Sequence, residues 1–204
     1  MYHCAICENH SCNKMNFETM PSTCPSLDSK NKEVVDIYKG EENLLISTSA
    51  ALTSHLGYGD KTRIEETIEF LKQCNYTYIG LAFCIGLSYE AKIVSKILQH
   101  HGFSVESIIC KNGAFSKESI GIYDSDVPMC NPIGQALFLN DKKTHCNILL
   151  GLCVGHDSLF FKYSEAPVTV LAVKDRVLAH NPLAAIYQAD SYYKDKLFPK
   201  HSNK

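Results

Sequence analysis

The run Asn147-Ile148-Leu149-Leu150-Gly151-Leu152-Cys153-Val154-Gly155-His156 is apolar for the length of a strand and then breaks at glycine, cysteine, glycine and histidine. A short continuous apolar run closed by a turn signal fits a strand covered on both faces, as in a parallel sheet. Cys153 then falls at the carboxyl end of that strand, the edge at which open α/β sheets bind their ligands.

Working outward from this strand, residues 76–84 read as a second strand and residues 88–101 as an amphipathic helix that turns Ala91, Val94, Ile97 and Leu98 inward. Residues 104–110 read as a third strand, and a β-α-β unit of this kind makes its two strands parallel. Residues 111–129 lack periodicity and form a loop, after which Asn131-Pro132 starts a helix to about Leu139 with proline in its first turn. Beyond the opening strand come a helix over 157–163, a strand over 167–173, a short helix after His180-Asn181-Pro182, and a surface tail from Asp190. Between Lys30 and Cys74 the pattern is helical. Val34, Ile37 and Tyr38, then Leu45, Leu52 and Leu56, recur at three-to-four spacing, with Gly40 as a break; Asp60 is placed to cap a third helix carrying Ile64, Ile68 and Leu71. Core packing is the expectation for these stripes. The fold class that results is α/β: a doubly wound, mostly parallel, Rossmann-like sheet of at least four strands, with a helical segment before the sheet and a small cysteine-rich knuckle ahead of that.

The chain has 204 residues, enough for one full core and a small appendage, and its 45% hydrophobic content is that of a globular protein. The expected division is 1–28 for the cysteine-rich knuckle and 29–204 for the α/β domain. Twenty basic and 22 acidic residues, well mixed for a net charge of -2, leave no basic stripe for nucleic acid or anionic lipid. No signal region and no membrane-length apolar run is evident, so a cytoplasmic location is expected. Ten cysteines in a reducing compartment point to metal ligation or thiol chemistry rather than disulfides. The partners implied are a metal ion and a small-molecule ligand.

Cys4, Cys7, Cys12 and Cys24 lie among polar residues with little to bury, in the spacing Cys-x2-Cys-x4-Cys-x11-Cys followed by Pro25. A segment so poor in apolar residues needs a staple, and a Cys-x2-Cys turn presents two thiolates to one tetrahedral metal. Zinc is the first reading. The uneven spacing and closing Cys-Pro also fit an iron-sulfur cluster, and His3 or His10 can replace one cysteine as a zinc ligand.

A second constellation appears where strands end. Cys84-Ile85-Gly86, Cys110-Lys111-Asn112-Gly113 and Cys153-Val154-Gly155 repeat one pattern of strand, cysteine and glycine. In a parallel sheet these ends lie side by side, and Cys130 comes from a loop able to fold over the same edge. The four thiols, with His156 near Cys153, are candidates for a second metal, a cluster or a small ligand. A buried cysteine is often only a small hydrophobe, and Cys74 and Cys146, at the opposite edge, are read that way. Lys174-Asp175-Arg176, after the last strand, puts at least one side chain toward the same crevice, with a solvated turn and local ion pairs the favoured reading for Lys174 and Arg176.

Gly151-Leu-Cys-Val-Gly155 has the form of a nucleophile elbow with cysteine for serine. Asp175 and His180 follow in the order a hydrolase needs, but five residues apart after one strand they are too close to serve from two strand ends. A cysteine-dependent enzyme using Cys153 with His156 is therefore one alternative to metal binding, and a regulatory module with a purely structural zinc is another. No phosphate-loop or dinucleotide fingerprint is present.

The segments Gly80-Leu-Ala-Phe-Cys-Ile-Gly86, Met129-Cys-Asn-Pro132, Gly151-Leu-Cys-Val-Gly-His-Asp-Ser158, Lys162-Tyr-Ser, Ala166-Pro-Val-Thr-Val-Leu and Lys174-Asp-Arg-Val-Leu with His180-Asn-Pro-Leu carry a family likeness. The chain resembles the uncharacterised cysteine-rich family known as domain of unknown function eighteen-forty-seven, whose members are labelled metal-binding. The likeness runs through nearly the whole chain, including the four N-terminal cysteines. It implies metal binding and leaves open whether there is a reaction.

Overall fold

A computed structural model describes residues 4–123 and 127–200, which form two compact units, Met1–Leu56 and Gly57–Lys204. The first unit opens with four short 3-10 turns, among them Cys4–Ile6, Ser11–Lys14 and Pro25–Leu27. Ser11 alone is buried along them, and hydrogen bonds do the organising: Ser11 Oγ meets Thr19 Oγ1 at 2.8 Å, and Asn9 Nδ2 donates to the Thr19 carbonyl at 2.7 Å. Two helices follow, α1 (Lys30–Tyr38) and α2 (Glu41–Gly57), separated at Gly40 as the sequence predicts.

Their apolar stripes correct one expectation. Val34, Ile37, Tyr38, Leu45, Leu52 and Leu56 are exposed rather than core, Ile37 to 62%. Periodicity aligns apolar side chains on one face, but it supplies no surface to cover that face.

In the second unit, α3 (Arg63–Gln73) starts at Thr62 and not at Asp60. Thr62 Oγ1 and Glu65 Oε2 lie 2.5 Å apart, the Thr62 amide donates to the same carboxylate at 2.8 Å, and this reciprocal box satisfies helix-end amides that Asp60, two residues upstream, does not serve. The stripe of α3 does reach a core, with Ile68 and Leu71 buried.

The sheet has four strands, β1 (Tyr78–Phe83), β2 (Ser104–Ile109), β3 (Cys146–Leu150) and β4 (Val168–Ala172), in the order β2-β1-β3-β4 with all three pairings parallel. Helix α4 (Ser88–His100) links β1 to β2; α5 (Pro132–Lys142) precedes β3, and α6 (His156–Tyr163) joins β3 to β4. Two short helices, α7 (Leu183–Tyr187) and α8 (Lys194–Leu197), close the chain with no buried residue.

Side chains alternate across the strands, so each face of the sheet has its own core. On one face Ile79, Leu81, Ile148 and Leu150 pack with Leu71 of α3 and Val94 and Leu98 of α4. On the other, Ala82 and Leu149 pack with Ala136 and Leu139 of α5 and Phe160 of α6. The result is a doubly wound α/β/α layering, as expected. Among the described residues no helix is long and apolar enough to cross a membrane.

One polar contact is built into this core. Asn147, fully buried on β3, accepts from Thr144 Oγ1 at 2.8 Å and donates to Ser164 Oγ at 2.9 Å. Its carboxamide lies across Gly80 of β1, where an added Cβ would stand 2.0 Å from Asn147 Oδ1. Gly80→Ala is therefore expected to destabilise the fold by about 2–3 kcal/mol through overpacking and loss of that network. Urea denaturation of the variant checks this, and a midpoint equal to that of the unsubstituted protein would contradict it.

Candidate functional site

The strand order places a switch in direction between β1 and β3, because the chain passes from β1 outward to β2 and then returns to the other side of β1. Open α/β sheets bind ligands in the crevice outside such a switch point. Cys84 follows β1 directly and Cys153 lies three residues beyond β3, so the two flank it; Cys110 follows β2.

Cys130 is brought to the same edge by asparagine chemistry. The Asn131 amide donates to the Cys110 carbonyl at 2.7 Å, Asn131 Nδ2 to Asn112 Oδ1 at 3.0 Å, and Asn112 Nδ2 back to the Asn131 carbonyl at 3.1 Å. Asn131 Oδ1 also caps α5 by accepting from the Gly134 amide at 2.9 Å. The Cys84 and Cys130 thiols consequently both lie near enough to Cys110 to act on its titration. Three of the four strand-edge cysteines are thus neighbours, with Cys110 common to both interactions.

The turn after β1 is shaped around these sulfurs. The Ile85 amide donates to Cys110 Sγ at 3.3 Å, and the Gly86 amide favours the Cys84 thiolate. Lys174, on the segment after β4, adds its positive charge beside Cys84. Its side chain runs through a lane left by two glycines: a Cβ on Gly86 would lie 3.4 Å from Lys174 Nζ, and one on Gly151 would lie 3.7 Å from Lys174 Cε and only 2.1 Å from Leu87 Cδ1. Gly151, at φ 63°, also adopts a backbone conformation that favours glycine.

Cys153 is treated differently. It is half-buried in the loop between Gly151 and Gly155, and its sulfur accepts from the Arg176 guanidinium at 3.2 Å. Arg176 also feels the Cys84 and Cys130 thiols. A rigid turn aims both cations: Asp175 Oδ1 accepts from the Val177 and Leu178 amides at 2.9 and 2.8 Å, and His180 Nδ1 accepts from the Asp175 amide at 3.1 Å. Asp175 and His180 are committed to this turn, which gives them a structural use in place of the triad roles that the sequence order alone invited. His156 meets Cys153 through its backbone, donating to the Cys153 carbonyl at 2.9 Å.

The electrostatics follow from these contacts. Burial pushes the Cys84 thiol up, but the Gly86 amide, Lys174 and Cys110 together outweigh it and hold the thiol below its ordinary range. Cys110, with burial dominant, is pushed up to about 12. At the opposite edge Cys146 is also pushed up to about 12, by burial and by the nearby Cys74, in keeping with a structural pair. Beneath the strand tips Gln135 of α5 donates to the Phe83 and Ile108 carbonyls at 3.2 and 2.8 Å, and its Oε1 is buried without a partner.

The N-terminal candidates are arranged more loosely. The Cys7 amide donates to the Cys4 carbonyl at 3.1 Å, so the Cys-x2-Cys turn is formed; Cys4 and Cys12 are exposed, and Cys7 and Cys24 are half-buried. His10 sits at the start of the Ser11–Lys14 turn with a left-handed backbone, and His3 lies outside the described residues. Among the described residues no three His, Cys, Asp or Glu side chains are arranged as a metal-ion site, at either location. The donor chemistry nevertheless fits a soft or borderline metal, since both sets are thiol-rich and one is ringed by hydrogen-bond donors.

Sequence reasoning set the Lys174-Asp175-Arg176 turn at this edge but favoured a solvated role for Lys174 and Arg176, and it missed Asn112, Asn131 and Gln135. The glycines at 86 and 151 were the available signal, because two side chains are missing where a third has to pass.

Comparison with known proteins places the chain in a family. The model of the family described as Protein of unknown function (DUF1847) matches residues 23–171. An uncharacterized protein of Methanocaldococcus jannaschii is 49% identical over 171 residues, covering 81% of this chain and 86% of the relative. No solved structure matches the chain. The chain belongs to the DUF1847 family.

In metal-free protein, Cys84 is expected to be alkylated by iodoacetamide at neutral pH faster than Cys146, which is also buried, because its thiolate fraction is larger. Lys174→Met removes one of the groups that favour the Cys84 thiolate and should move the alkylation profile to higher pH. Peptide mass mapping across a pH series reads both effects, and equal rates at the two cysteines would contradict the assignment.

Proposed function

We propose that this family member is a thiolate metal-binding protein with two separate centres. The sheet-edge centre uses Cys84, Cys110, Cys130 and Cys153 for a metal ion or an iron-sulfur cluster. The N-terminal centre uses Cys4, Cys7, Cys12 and Cys24 for zinc, or for a cluster, as a staple to the coreless segment. The observation that carries the first is the pair of donors on sulfur, the Ile85 amide on Cys110 and Arg176 on Cys153, beside the Gly86 amide and Lys174 charge that favour the Cys84 thiolate.

Hydrogen bonds and cations directed at a sulfur favour thiolate over thiol, and thiolate is the form that ligates. The same donors are the outer partners that orient and tune a metal-sulfur centre. The thiols of Cys84 and Cys130 both influence the titration of Cys110, which lies between them in the sequence of interactions. A metal held there supplies Lewis acidity or electron transfer according to its identity. The N-terminal reading rests on composition and on the formed Cys-x2-Cys turn: residues 4–28 bury almost nothing, so a metal would contribute most of their folding free energy.

Protein purified without oxygen is expected to carry about two equivalents of metal or cluster per chain, falling to about one in Cys84→Ser or Cys110→Ser. Cys74→Ser and Cys146→Ser should leave the stoichiometry unchanged. Elemental analysis with visible absorption decides between zinc and iron, and less than about one tightly bound equivalent in the unsubstituted protein would overturn the proposal.

A further inference from the structure

At the outer side of the sheet α4 and β2 enclose a cavity of about 370 Å³, lined by Ser88, Lys92, Ser95, Lys96 and Gln99 of the helix and Ser107 of the strand. Phe83 and Ala91 form its apolar part, and no cysteine lines it. We propose that this cavity binds a small phosphorylated polyol of the sugar-phosphate class, independently of any metal.

Helix geometry gathers the lining. At 3.6 residues per turn, Ser88, Lys92, Ser95, Lys96 and Gln99 share one side of α4, next to the stripe of Ala91, Val94 and Leu98 that packs on the sheet. Ser88 and Gln99 stand about three turns apart, so the cavity extends about 16 Å along the helix. Strand alternation puts Ser107 on the same face of β2 as Val105, which packs against the core beneath α4. β2 ends the sheet, and the cavity opens to solvent at that side.

The polar groups gathered here have no use within the protein. Among the described residues, the side chains of Ser88, Lys92, Ser95, Lys96, Gln99 and Ser107 make no hydrogen bond or ion pair with the rest of the chain. Lys92 and Lys96 stand one turn apart, a spacing at which like charges repel. The acidic residues of these two elements are charged but face elsewhere. Glu90, two residues from both Ser88 and Lys92, projects from the opposite side of α4, and Glu106 projects from the other face of β2, with Lys142 Nζ 3.9 Å from its carboxylate.

An anion bound between the two ammonium groups relieves their repulsion. A phosphate monoester, with about two negative charges and three free oxygens, answers two lysines better than a carboxylate does. The serine hydroxyls and the Gln99 carboxamide both donate and accept, as the hydroxyl groups of a polyol require of their partners. Phe83 and Ala91 supply apolar contact for its C–H face, and the volume is that of a small-molecule site.

Isothermal titration calorimetry of the full-length protein, with ribose 5-phosphate and glycerol 3-phosphate as probes, tests the proposal. Ribose 5-phosphate is expected to bind saturably, with affinity weakened by about tenfold or more in Lys92→Gln and in Lys96→Gln. Lys72→Gln, at an exposed position of α3, should leave the affinity unchanged. Ribose and inorganic phosphate should each bind more weakly than ribose 5-phosphate by about tenfold or more. Circular dichroism checks that the variants keep the fold. Inorganic phosphate binding as tightly as the sugar phosphate would reduce the cavity to a simple anion patch and overturn the proposal. Failure of both probes to bind at millimolar concentration, or an affinity that both cavity-lysine variants leave unchanged, would overturn it too. None of these outcomes involves bound metal, so the metal-binding reading stands or falls separately.

Discussion

A strand with no exposed face constrains everything around it. All five residues of β3 are buried, so both faces must be covered and every polar atom must find a partner inside the protein. The apolar residues meet the first demand with α3 and α4 on one side and α5 and α6 on the other. Asn147 meets the second through Thr144 and Ser164, and Gly80 on the neighbouring strand gives its carboxamide room. Each fully buried Leu or Ile of this core contributes roughly 1.5–3 kcal/mol, and together such burial offsets the chain entropy that four ordered strands cost.

The thiol edge is a by-product of the same geometry. Parallel strands bring all their carboxyl ends to one side, and the helices that leave those ends begin there, with amide groups unpaired by helix bonds. Cysteines placed just after β1 and β2 therefore meet N–H donors from the adjoining turn without any special loop. The opposite edge shows the contrast: Cys74 and Cys146 are as deeply buried, but no cation is directed at Cys146, and burial governs its thiol.

The layering and the candidate edge were legible in the sequence because both rest on local pattern. The apolar runs gave four strands nearly to the residue, and three strand-cysteine-glycine repeats picked out one edge. The rest depended on long-range contact. Lys174 and Arg176 look like a solvated turn in isolation, and only the Asp175 and His180 bonds, together with the lane past Gly86 and Gly151, show them turned toward sulfur. The apolar faces of α1 and α2 were legible as faces, but their exposure was not, since a stripe says nothing of what lies opposite. Thr62 displaced Asp60 as a cap because Glu65 stands three residues after it and closes the reciprocal bond.

Arg63 shows the other outer strand under different control. Its guanidinium donates to the Val170 carbonyl at 3.2 Å and to Thr169 Oγ1 at 3.0 Å, occupying one backbone acceptor and one side-chain hydroxyl of β4. The strand that leads to the 174–180 turn is thereby shielded from pairing with another chain. The sulfurs hang from β1, β2 and the loops ahead of α5 and α6, whereas both cations hang from the turn after β4. Ligand set and counter-charge are thus inherited on separate segments of chain. Evolution can change the charge presented to the crevice by altering a surface turn, without disturbing the packing that holds the thiols.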